Sequence, residues 1–191
     1  MRKKIRHIKN IIRRHNQLTV ILEKGSVKTI ASIAQAITKS LKSGGCVYTC
    51  GNGGSAADAQ HIAAELVGRF EKDRKGLPAV ALTTDLSLLT SVANDYGYEN
   101  VFVRQVEALV KKQDIFWAIS TSGSSPNVVA AAMLAKKKGA KVIAFTGMPG
   151  SKLEKISDIC LAAKDPLTAR CQEIHQLAYH IICGLVEQAF A

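Results

Sequence analysis

Long apolar runs are missing from this chain. No stretch reaches the roughly 18 residues a membrane-crossing helix needs, and basic residues interrupt the N-terminus too often for a signal peptide. The five cysteines include no C-x-x-C pair, which argues against a cysteine-based zinc module. Their odd number, with Cys46 and Cys50 in or beside one apolar run, also argues against a disulfide framework. A reducing, cytoplasmic setting is therefore expected. Aromatic residues amount to only 5% and are not interleaved with the cations, so no stacking platform for nucleic acid is built. No Walker lysine follows the glycine turn described below, and there is no G-x-G-x-x-G, internal repeat or low-complexity segment. A nucleotide cofactor is not expected.

Acidic residues are also scarce, 15 against 26 Lys and Arg, which leaves a net charge of +11. Arg2, Lys3, Lys4, Arg6, Lys9, Arg13 and Arg14 crowd the first 14 residues. The later groups Lys111–Lys112 and Lys136–Lys138 fall at predicted helix ends, where cations complement the macrodipole. The excess is read as solvated helix faces, with small acidic ligands a second use.

What remains is a chain of 191 residues, 47% hydrophobic, long enough for one domain with a sizeable core. Over residues 1–44 an apolar stripe recurs at helical spacing. Gly25-Ser26 is read as a break, giving a helical hairpin that must pack on the rest of the domain or on another subunit. From Cys46 onward short apolar runs at 46–50, 78–83, 114–119, 141–146 and 158–162 alternate with helical segments. These lie at 55–68, 86–94 with 99–112, 126–138 and 151–156, and a long helix fills 168–190. Such alternation predicts an α/β fold, a five-stranded parallel sheet covered by helices on both faces.

Three stretches carry chemistry. The first runs from Cys46 through the turn Gly51-Asn52-Gly53-Gly54 into a helix that Ser55 and Asp58 are expected to open as a capping box. Asp58, His61, Glu65 and Arg69 share one stripe of that helix. A glycine turn feeding a helix is a phosphate or polyol cradle, although a His and a Glu four residues apart are also a common exposed pair. In the second, Ser120, Thr121, Ser122, Ser124 and Ser125 surround Gly123 and precede Pro126, which suits the first helical position. A cap needs one hydroxyl and this loop offers five, enough to hold a phosphate dianion at a helix N-terminus. In the third, Gln172, Gln176 and His180 form a stripe on the last helix, with His175 on another side. Such a histidine serves either structure or catalysis.

Together G-N-G-G-S, D-x-x-H-x-x-x-E, S-T-S-G-S-S and T-A-R-C-Q-E-I-H with a histidine five residues further resemble the sugar isomerase (SIS) domain family. The segment Asn94–Glu99 and the N-terminal helices extend the likeness over nearly the whole chain. Within that family it is closest to the phosphoheptose isomerases. The resemblance implies a flavodoxin-like three-layer sandwich forming a single domain over residues 1–191. It also implies a homotetramer with active sites at subunit interfaces. The implied reaction converts sedoheptulose 7-phosphate into D-glycero-D-manno-heptose 7-phosphate through an enediol, feeding bacterial heptose for surface polysaccharide such as lipopolysaccharide.

By motif, Ser120, Thr121, Ser122 and Ser125 would hold the phosphate. Asn52, Gly53, Ser55, Asp95, Thr168 and Gln172 would face the sugar. His61, Glu65, Gln172 and His180 would bind zinc, and Glu65 with His180 would form the acid/base pair. Cys171 stands where an aliphatic residue is expected. The chemistry agrees, since moving a proton between C1 and C2 needs a base for carbon and an acid for oxygen. A zinc ion could polarise the carbonyl. Gln172 and His180 lie about 12 Å apart along a helix axis, so both would have to lean inward. Competing readings are a non-catalytic SIS protein that binds the replication initiator, an isomerase of another phosphosugar, and a sugar-phosphate sensor. The presence of Glu65 and His180 disfavours the first, and the lack of a helix-turn-helix segment the last.

Overall fold

The computed structural model describes all residues from Met1 to Ala191. Its elements are α1 (Arg2–Lys42), β1 (Val47–Gly51), α2 (Gly54–Val67), β2 (Ala79–Ala81), α3 (Leu86–Tyr96), a 3₁₀ turn (Tyr98–Asn100) and α4 (Val103–Leu109). There follow β3 (Ile115–Ser120), α5 (Pro126–Lys137), β4 (Lys141–Thr146), α6 (Lys152–Ile156), β5 (Ile159–Ala162) and α7 (Thr168–Gln188). The strands form one parallel sheet in the order β2-β1-β3-β4-β5. From β1 the chain winds first to β2 and then back across to β3. The strand order therefore reverses between β1 and β3, and the loops after these two strands flank the crevice where such sheets bind ligands.

Side chains alternate across the pleat. Ile115, Trp117 and Ile119 of β3 point into a core roofed by α1, α2 and α7. Phe116 and Ala118 point into a second core beneath α4, α5 and α6. Both faces of the central strands are buried, which is why they read as continuous apolar runs rather than alternating ones.

The expected N-terminal hairpin is corrected: α1 is one helix of 41 residues running straight through Gly25-Ser26. Leu18, Leu22, Ser26, Ile30, Ile33, Ile37 and Leu41 are buried at three- and four-residue spacing, so the stripe keeps its phase across the glycine. A mid-helix glycine costs about 1 kcal/mol, less than burying even one of those side chains contributes. The expected capping box is corrected as well. Helix α2 starts at Gly54, its N-cap Gly53 offers no side chain, and Ser55 lies buried inside the first turn. Arg69 falls past the end of α2 rather than on its stripe. No helix is long and apolar enough to cross a membrane.

Candidate active site

The turn after β1 depends on Gly53, whose φ of 54° and ψ of −122° suit only a residue without Cβ. It throws Asn52 toward the neighbouring loop after β3. The Asn52 and Asn127 side-chain amides bond reciprocally, each Nδ2 donating to the other's Oδ1 at 2.9 Å. The Tyr98 hydroxyl donates to the same Asn52 oxygen at 3.0 Å. Asn127, in the first turn of α5, is buried. One amide pair thus ties the glycine turn to the hydroxyl loop across the switch point.

In that loop Ser120 ends β3 and is nearly buried, with its Oγ 3.0 Å from Ser125 Oγ and 3.3 Å from Ser122 Oγ. Pro126 takes the first position of α5, and the N-cap Ser125 makes no side-chain capping bond. Its hydroxyl is left to Ser120 and to a ligand. Three hydroxyls converging at a helix N-terminus form a donor cluster suited to a dianion.

The acid/base candidates stand on helices. α2 and α7 run side by side in the same direction, with Gln172 against Gly54, His180 against His61, and Glu187 against residues 70–72. His61 Nε2 lies 2.8 Å from Glu65 Oε1, one helical turn further on. His61 Nδ1 lies 2.9 Å from the hydroxyl of buried Tyr179. The His180 ring meets His61 edge-on at 4.9 Å. One donor atom each from His61, Glu65 and His180 falls within 4.8 Å of the other two. Burial lowers the His180 pKa, His61 adds to this, and Glu65 opposes it. The Asp58 carboxyl is pushed up to about 6 by burial, with His61 pulling the other way, and one of its oxygens is buried without a partner.

These three donors suit a metal. They are imidazole, carboxylate and imidazole, the set zinc prefers, and at zinc bond lengths tetrahedral donors lie roughly 3.4 Å apart. A ligating histidine ordinarily donates its other ring N–H to an acceptor, and the Tyr179 oxygen is placed to accept from His61 Nδ1. Gln172 is not beside them, because its amide packs on Gly54, about two turns of α2 before His61.

The remaining sequence-derived candidates lie apart within this chain. Asp95 is exposed near the end of α3 and bonds only the Asn94 amide, at 2.8 Å. Thr168 is exposed at the first residue of α7, beside a cavity of about 450 Å³ shared with His7, Asn10 and Arg14 of α1. His175 is purely internal: its Nε2–H donates to Thr146 O at 3.0 Å, and burial pushes its pKa down to about 4. Sequence reasoning missed Asn127, Tyr98 and Tyr179 as parts of the site. For Asn127 a signal existed, an amide side chain directly after Pro126 on the face that must be buried.

A parallel sheet with a glycine turn and a hydroxyl loop on either side of its switch point places the chain among α/β domains that bind small ligands beyond the carboxyl ends of their strands. The family described as SIS domain matches residues 12–147. A phosphoheptose isomerase of Roseiflexus sp. (strain RS-1) is 51% identical over 159 residues, 83% of this chain and 81% of the relative. The structure of a phosphoheptose isomerase from Neisseria gonorrhoeae shares 40% identity with a TM-score of 0.87, covering 98% of both chains. That of a phosphoheptose isomerase from Francisella tularensis shares 36% identity with a TM-score of 0.93, covering 97% of this chain and 98% of the other. The chain belongs to the SIS-domain family and, within it, to the phosphoheptose isomerases.

Proposed function

We propose that this protein isomerises sedoheptulose 7-phosphate to D-glycero-D-manno-heptose 7-phosphate, an aldose–ketose interconversion that supplies heptose for bacterial surface polysaccharide. The observation that carries the reading is the convergence of His61, Glu65 and His180 on the α2–α7 seam, α2 being the helix that the glycine turn opens. Ser120, Thr121, Ser122 and Ser125 hold the substrate phosphate, and Asn52, Gly53, Ser55 and Gln172 line the sugar's path. Glu65 takes the proton from C1 of the ketose while His180 delivers one to O2, giving the enediol. The Glu65 proton then returns to C2 and the O1 proton passes back to His180, so both groups end as they began.

His61, Glu65 and His180 would hold a zinc ion, with Gln172, packed on Gly54, outside that donor set within one chain. When bound, that ion would supply polarisation of the sugar carbonyl. The protein acts as a homotetramer with its sites at subunit interfaces. Exposed Asp95 and Thr168 then reach a neighbour's crevice, and Ile5, Ile8 and Ile12 of α1, exposed in one chain, find cover. The five cysteines, all free, suit a reducing cytoplasm.

The test is aldose formation from sedoheptulose 7-phosphate with and without a chelator, alongside Glu65→Gln. This substitution keeps shape but removes the base. Turnover and exchange of the substrate's C1 hydrogen with deuterated water should both fall by roughly 10²–10⁴-fold. Near-normal exchange in Glu65→Gln would remove Glu65 from the role, and activity untouched by the chelator would remove the metal.

A further inference from the structure

Between α2 and β2 the chain runs irregularly through residues 68–76, yet this connection is firmly tied to the last turn of α7. Glu187 there is only 2% exposed. Its carboxylate accepts the backbone N–H groups of Phe70, Glu71 and Lys72 at 2.9, 2.8 and 2.9 Å. Burial alone would raise its pKa, but these three donors and Arg74 outweigh it and hold the group below its ordinary value. The Arg74 side chain is equally buried, with Nε 3.4 Å from Glu187 Oε1. Its Nη1 and Nη2 donate at 2.8 Å to the carbonyls of Leu66 and Glu65. Those carbonyls end α2 and have no donor within the helix. A buried charge survives when it is paired. Arg74 Nε makes no hydrogen bond of its own, so its link to Glu187 is electrostatic, and it joins the ends of the two helices that bear the acid/base candidates.

The same tie aims a ring at one of those candidates. Phe70 packs with its ring centroid 5.8 Å from that of His180, tilted by 34°. It also lies over Gly184, where an added Cβ would come within 3.2 Å of Phe70 Cε1. On its other sides the His180 imidazole meets His61 at 4.9 Å and Tyr179 at 4.7 Å, both edge-on. Of these three neighbours Phe70 alone comes from a connecting segment, and it is the one the Glu187–Arg74 tie holds in place.

We propose that Phe70, anchored by the Glu187–Arg74 pair, is a positioning residue that keeps the His180 imidazole turned toward His61 and Glu65. The inference rests on the reading of His180 given above. Without the ring, His180 gains a staggered rotamer pointing into the vacated space, and its nitrogen leaves the donor cluster. Outer partners that orient a functional histidine change metal affinity or turnover by 10- to 100-fold.

The test compares Phe70→Ala, Phe70→Tyr and His180→Gln in the full chain, measuring steady-state kinetics and zinc affinity by chelator competition. Phe70→Ala is expected to lower kcat and zinc affinity about 10-fold each while KM stays unchanged, because the hydroxyl loop is not disturbed. Phe70→Tyr, which keeps the ring, is expected to restore both. A Phe70→Ala protein whose only change is a lower melting temperature overturns the inference, since Phe70 would then be packing alone. If instead His180→Gln keeps full turnover and zinc affinity, the assignment of His180 itself falls and the inference goes with it.

Discussion

The buried His175 makes the pH dependence of stability calculable. Its ring is fully enclosed between the end of β4 and the sheet-facing side of α7, with Nε2–H bonded to Thr146 O and one ring nitrogen unpartnered. Burial holds its pKa near 4 in the folded protein, against an ordinary 6.5. The folded value is the lower one, so the unfolded chain binds the proton first. This group's contribution is complete above pH 6.5, falls as pH drops from 6.5 to 4, and changes no further below that. A gap of this size corresponds to about 3 kcal/mol at 1.36 kcal/mol per unit. Asp58 acts in the opposite direction, because its folded pKa of about 6 lies above the unfolded 3.8. Its buried charge is a penalty above pH 6 that is relieved as pH falls to 3.8, though partial exposure and solvent screening shrink the effect. The two cancel in part, so the wild-type curve alone is not diagnostic. The decisive quantity is the difference between wild type and His175→Gln, measured by urea unfolding in EDTA at intervals from pH 7 to 4. His175→Gln should be the less stable protein at pH 7, having lost a close-packed ring, and should recover about 3 kcal/mol relative to wild type by pH 4. Parallel curves would show that His175 binds a proton as readily in the folded protein as in the unfolded chain and would refute the buried neutral assignment.

The hydroxyl loop predicts a binding defect without a chemical one. Ser120→Ala with Ser122→Ala removes two donors, each worth about 1.5–3 kcal/mol toward a charged group. KM and the inhibition constant for inorganic phosphate should both rise by at least 10-fold, with kcat little changed, in steady-state assays. For assembly, light scattering of the full chain should give a tetramer. Deleting residues 2–13, none of which is buried in a single chain, should shift the protein to smaller species with its circular dichroism retained. A stable monomer of the full chain at micromolar concentration would exclude the assembly.

Much of this fold was legible because its signals are local. The five strands appear within a residue or two of their apolar runs. A parallel sheet buried on both faces leaves uninterrupted Val, Ile, Ala and Phe that no surface helix would carry. The failure at Gly25 came from weighting a glycine over the phase of the stripe that crosses it. The failure at Ser55 came from reading a spacing without the strand-to-helix geometry, which Gly53 governs instead. Within the site, His61 and Glu65 were visible as one helical turn and Ser120 to Ser125 as one loop. The Asn52–Asn127 bridge, the Tyr179–His61 contact and the Glu187 tie join residues separated by 75, 118 and more than 110 positions. Pairings at that range follow from strand order and helix direction, which residue spacing does not encode.

That topology also separates two demands a sugar-phosphate isomerase must meet. On the reading proposed above the phosphate is an anchor, and the hydroxyls that would hold it sit on a short loop bent at Gly123 and closed by Pro126. The proposed proton-transfer groups sit instead on α2 and α7, helices of 14 and 21 residues packed along one another. A helix fixes the relative height of its side chains to within a fraction of its 1.5 Å rise. A base and an acid serving adjacent carbons need that tolerance, since displacements near 1 Å can cost 10²-fold in rate. Substitutions in the hydroxyl loop should therefore move KM, and those along the α2–α7 seam should move kcat. The Asn52–Asn127 bridge joins the hydroxyl loop to the turn that opens α2. Asn127→Ala, which leaves the Asn52 amide nitrogen unpaired and only the Tyr98 hydroxyl on its oxygen, frees the glycine turn from the hydroxyl loop and is expected to degrade both constants at once.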